Sequence, residues 1–134
     1  MQRFLCRLAA VLVVLLPAAG SAAEEFPTDG PFVKGEAFPE TPATCDSLPG
    51  WMDQLPEHDG RISMAVTGPL LASDWDGALA YLIVCPADQT QVICVTYEPL
   101  EVAEGRQVTL AGGFAGSRQG QVLLDPCLAT PAAP

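Results

Sequence analysis

From residue 61 onward the chain is written in twos. Ile62, Met64 and Val66 alternate with Arg61, Ser63, Ala65 and Thr67, the pattern of a strand with one face buried and one face wet. Gly68-Pro69 interrupts the alternation and residues 70–72 resume it, so one long strand with a bulge or bend at the glycine is expected. Residues 73–77 read as a turn. Residues 78–85 form a nearly continuous apolar run, and residues 91–98 a second one rich in β-branched side chains. Val108, Leu110 and Phe114 then alternate with Gln107, Thr109, Ala111 and Gly113, and residues 121–125 make a fifth candidate before Pro126-Cys127. Five short strands with turns between them imply an all-β fold, a small barrel or sandwich, and no internal repeat is visible.

The segment before this pattern has a different grammar. Arg3 and Arg7 precede an unbroken apolar run over residues 8–16, Pro17 ends it, and small residues 18–23 lead into Glu24 and Glu25. Charge, apolar core and small residues in that order are what a signal peptidase reads, with cleavage expected after Ala23. The run is shorter than the ~20 apolar residues a membrane-spanning helix needs. Cys6 precedes the apolar core, the wrong side for a lipoprotein cleavage site. The expected location is therefore periplasmic or secreted, with no stable membrane anchor once residues 1–23 are removed.

Removal of the leader sharpens the charge. All sixteen acidic residues follow Ala23, against Lys34, Arg61, Arg106 and Arg118, which leaves four positive charges against sixteen negative ones, a net −12. Binding to nucleic acid or anionic lipid rests on Lys and Arg displacing counterions, so a body this acidic is not expected to bind either. Cys45, Cys85, Cys94 and Cys127 also remain, an even number suited to an oxidising compartment and to stapling a small core. With no CxxC pair and one histidine, His58, disulfides are the expected use and zinc is not. Residues 24–44 hold Pro27, Pro31, Pro39 and Pro42 among acids and read as a disordered arm. A short helix is expected near residues 47–55, with Ser47 as N-cap and Pro49 in its first turn. The domain should run over residues 45–128, with 129–134 as a tail.

A long first strand bent at a glycine, a two-stranded hairpin and two further strands resemble the OB-fold, a five-stranded, partly open barrel. Glu104-Gly105-Arg106-Gln107-Val108-Thr109-Leu110-Ala111-Gly112 resembles the G-x-x-V-x-L-x-G segment that leads into the fourth strand of small exported bacterial OB-fold proteins. The likeness covers about residues 61–128. Two features depart from it: residues 99–105 are too few for the helix many OB-folds carry there, and the sheet lacks the basic and aromatic lining of oligonucleotide-binding members. The resemblance thus implies a fold and not nucleic-acid binding.

Placed on that barrel, Cys85 and Cys94 are expected to face each other across the hairpin, which opposes Val84 to Val95 and Leu82 to Tyr97 with the turn near residues 88–91. Leu82, Val84, Ile93, Val95 and Tyr97 would then face inward, and Cys45 would pair with Cys127. Tyr81, Ile83 and Thr96 would face outward beside the Cys85–Cys94 bridge. A contiguous patch of this kind marks a contact surface, covered either by a partner or by the segment carrying Trp51 and Leu55.

Catalytic signals are sparse. His58 lies in the turn-like run Pro56-Glu57-His58-Asp59-Gly60, and no GxSxG occurs. Asp74-Trp75-Asp76-Gly77 begins like a calcium loop, but the position where a twelfth-residue Glu belongs is Cys85, so an Asp-Gly hairpin turn is the better expectation. Trp51 and Met52 read as helix residues packing on a barrel end. No phosphate-cradling loop, metal set or cofactor motif is present. The expected function is a non-enzymatic binding or interaction module for a protein or small-molecule partner. The alternatives are a small cation-dependent or hydrolytic enzyme using acids near His58 and Asp74, and a structural envelope protein.

Overall fold

The computed structural model describes residues 13–18, 20 and 26–133. Arg3, Arg7 and the cleavage point expected after Ala23 lie outside the described residues, and Val13, Val14, Leu15 and Leu16 stand exposed without regular structure. No helix among the described residues is long and apolar enough to cross a membrane.

The elements are β1 Phe32–Lys34, β2 Ala43–Thr44, α1 Leu48–Asp53, β3 Ile62–Trp75, β4 Ala80–Val84, β5 Gln91–Thr96, β6 Gln107–Arg118 and β7 Gln121–Pro131. Strands β3, β4, β5, β7 and β6 follow one another in space, and β6 pairs back onto β3, closing a five-stranded barrel. The β5–β7 pair is parallel and the other barrel pairs are antiparallel. This is the strand order of the OB-fold, and all five strands begin within two residues of where the sequence pattern places them.

Alternation fills the interior. Ile62, Met64 and Val66 of β3, Leu82 and Val84 of β4, Val92 of β5, Val108 and Leu110 of β6, and Val122 and Leu124 of β7 are all 1 % exposed or less. Long β3 serves two neighbours in turn: Ser63 to Pro69 pair with β6, and Leu70 to Trp75 pair with β4. The one long strand expected here is found, with its bulge just past Gly68-Pro69, between Leu70 and Ala72. Gly68 has another reason to be glycine. A Cβ there would lie 2.5 Å from Cys45 Sγ and 3.3 Å from Cys85 Sγ, so the bare backbone is the seat of a disulfide.

That disulfide is not the expected one. Cys45 bonds Cys85 and Cys94 bonds Cys127, in place of Cys85–Cys94 and Cys45–Cys127. The hairpin register changes with it: Ala80 opposes Thr96, Leu82 opposes Cys94 and Val84 opposes Val92. Relative to the expected pairing β5 is displaced by three residues, and an odd displacement turns every side chain to the other face. Val92, Cys94 and Thr96 therefore point inward, while Ile93, Val95 and Tyr97 share the outer side with Tyr81 and Ile83. The physical cause lies at Cys85. It has left β4, takes a φ of 75°, and turns toward Cys45, so it cannot meet Cys94 across the ladder.

The arm is ordered over its described part. Phe32 pairs with Met64, Ala43 pairs with Val66, and both side chains are buried. β1, β2 and β4 thus occupy successive stretches of one edge of β3, where the open backbone satisfies theirs; the prolines between them confine the arm without unfolding it. The expected tail is likewise drawn into β7, which pairs with β6 as far as Pro131. α1 begins after Ser47 as expected, but the Ser47 hydroxyl makes no cap hydrogen bond. It accepts instead from the Thr44 N–H at 2.9 Å, fastening the β2–α1 corner.

Candidate functional site

The outer face of the barrel carries a row of apolar side chains that the ladders bring into line. Ala72 opposes Ile83, Ile83 opposes Ile93, and Ile93 opposes Leu123. The next row is Asp74, Tyr81 and Val95. Tyr81 is 38 % exposed and Ile83 half-buried. Trp51 and Leu55, which were expected to be able to cover this face, pack elsewhere: both lie against the core, and the Trp51 ring rests on Gly30. Ile93 and Leu123 share a shallow depression with Arg118 and Gly116.

Of the three residues expected on one face, the structure brings together Tyr81 and Ile83. Thr96 is 4 % exposed and points the other way, for the parity reason given above. It helps to line a cleft of about 340 Å³ between the end of β5 and the β6–β7 pair, with Phe38 and Arg61 on a third side. Three exposed apolar side chains border this cleft: Phe38 (63 % exposed), Tyr97 (67 %) and Leu128 (52 %). Arg61 is ion-paired with Glu36 at the rim, an exposed pair of little energetic weight. Sequence reasoning missed the cleft, because its walls come from five stretches of chain far apart in sequence.

The residues considered for chemistry do not converge. His58 is exposed, with Nδ1 3.0 Å from the Pro56 carbonyl oxygen. It precedes β3, whereas Asp74 lies near the far end of that 14-residue strand. The Asp76 carboxylate accepts hydrogen bonds from the backbone N–H groups of Leu79 (2.7 Å) and Ala78 (2.8 Å). These donors, Leu79 first, hold the carboxyl below its ordinary range. The turn therefore spans Asp76 to Leu79, later than expected, and the oxygen that could have faced a cation serves as its clasp. Among the described residues no three His, Cys, Asp or Glu side chains gather as a metal site.

No known family model matches the chain, and no curated protein is detectably similar to it in sequence.

Proposed function

We propose that the protein is an exported interaction module that takes a protein partner on the outer face of the β4–β5 hairpin. The observation carrying this reading is the aligned apolar row Ala72, Ile83, Ile93 and Leu123, flanked by the exposed Tyr81 ring. A row continuous across four strands gives a flat patch of the kind that small acidic proteins otherwise keep off their surface. Its charge surroundings argue for a protein over a phosphate backbone, because the mature chain carries −12 and the depression at Ile93 and Leu123 is lined by a single cation, Arg118. Export is supported by the order of Arg3, Arg7, the apolar run and the small residues before Glu24.

Two measurements test the two halves. N-terminal sequencing of exported material should begin at Glu24; an intact, membrane-extracted chain would contradict export. For the contact face, Ile83→Asp should leave the isolated domain folded, with a loss of no more than ~2 kcal/mol, because Ile83 faces outward and is only half-buried. The same variant should lose the partner that the wild-type protein captures from its own source extract. Capture at wild-type level by a folded Ile83→Asp protein would place the contact elsewhere.

A further inference from the structure

The seam between β5 and β7 carries a second surface, independent of the outer face. The parallel pairing of these strands stops at Cys94 and Leu124, whereas β7 continues along β6 to Pro131. From Asp125 onward the other edge of β7 faces no strand, and no backbone hydrogen bond outside the ladders engages residues 125–131 among those described. Pro126 and Pro131 lack an N–H, and residues 128 and 130 turn theirs to β6 in step with the Ala132 N–H on the Gln107 carbonyl oxygen, which leaves the N–H groups of Cys127 and Ala129 for this edge. The apolar cleft bordered by Phe38, Tyr97 and Leu128 lies directly beside it. An open strand edge supplies main-chain hydrogen bonds, and an adjoining pocket supplies side-chain selection; together they are the elements by which a sheet takes up an extended peptide. The cleft is at the small end of the ~300–1,000 Å³ usual for ligand sites, room for a side chain or two.

We infer that this seam binds an extended peptide as an added strand, one apolar side chain entering the cleft and a Lys or Arg beside it. The charge follows from the rim. Arg61 is already ion-paired with Glu36, while Glu98 has no ion-pair partner among the described residues, and Asp125 stands exposed at the head of the open edge. A basic peptide meets these carboxylates; an acidic one is repelled. A second copy of the chain is disfavoured on the same ground, since it brings Glu36, Glu98 and Asp125 against a surface bearing their like.

The test is an NMR titration of the ¹⁵N-labelled domain with two blocked heptapeptides sharing a Val-Leu-Val centre, one flanked on both sides by Lys and the other by Glu. The Lys peptide should shift the amides of residues 96–98 and 127–130 and bind at least tenfold more tightly than the Glu peptide. Glu98→Lys should cut that preference at least fivefold. Equal affinity for the two peptides, or amides at the seam that do not move, would overturn the inference. So would shifts centred on Tyr81 and Ile83, which would leave the outer-face reading standing, or a concentration-dependent dimer that occupies the seam and that the Lys peptide does not displace.

Discussion

Replacing Cys94 and Cys127 together by alanine should cost the domain about 4 kcal/mol. The bridge closes a sequence separation of 33 residues, and the loop entropy it removes from the unfolded chain is worth ~4 kcal/mol in principle. Both cysteines are buried in the barrel, where the bridge spans the point at which β7 leaves β5. For a domain of this size the loss should lower the melting temperature by roughly 15 °C or more. The Cys45–Cys85 bridge closes a separation of 40 residues, so its removal carries nearly the same entropic term, ~4 kcal/mol. Thermal unfolding of the two double variants, each with its remaining bridge intact, checks this. A loss below ~1 kcal/mol for either would mean that the bridge contributes little constraint to the unfolded chain.

The second large effect is expected at Gly112. A Cβ added there would lie 2.3 Å from the Pro126 carbonyl oxygen and 2.7 Å from Cys127 Cα. Both obstacles are backbone of the paired strand, so relief requires β6 and β7 to separate where Cys127 must still reach Cys94. Gly112→Val should therefore destabilise by about 3 kcal/mol or more. Gly50 is the control. It lies in α1 with nothing within 4 Å of an added Cβ, and Gly50→Ala should stabilise by about 0.5–1 kcal/mol. Equilibrium denaturation of both variants decides the matter; equal and small changes would mean that β6 and β7 do not approach so closely.

These two effects mark where the sequence was readable and where it was not. The barrel strands are legible because each either alternates, as β3 and β6 do, or is a short apolar run rich in β-branched residues bounded by turns, as β4 and β5 are. β1 and β2 are too short to carry a period. They exist because β3 leaves an edge free beside them and because Phe32 and Ala43 find core contacts there. The hairpin register was illegible for a sharper reason. Within β5 either parity buries two sizeable side chains, Ile93 and Val95 or Val92 and Cys94, so hydrophobicity alone does not choose. The choice is made by a residue distant in sequence, Cys127 on the neighbouring strand β7. Tyr81 and Ile83 face outward because β4 keeps its parity, and Thr96 faces inward because it belongs to the strand that turns over. The seam was invisible for the same reason: Phe38, Tyr97 and Leu128 become neighbours only when the barrel closes.

The assignment of both surfaces depends on that register, and the disulfide pattern reports it. With Cys94 bonded to Cys127 the Cys94 side chain must enter the barrel, so Ile93 and Val95 must face out beside Tyr81 and Ile83. Trypsin acting after Lys34, Arg61, Arg106 and Arg118 leaves Cys45 on one peptide, Cys85 and Cys94 together on a second, and Cys127 on a third. Under non-reducing conditions the account predicts one cluster of all three peptides. A further cut before Asp88 should split it into a Cys45–Cys85 pair and a Cys94–Cys127 pair. A Cys45–Cys127 pair, with Cys85 and Cys94 closed within their own peptide, would contradict it and would turn Thr96 back to the outer face.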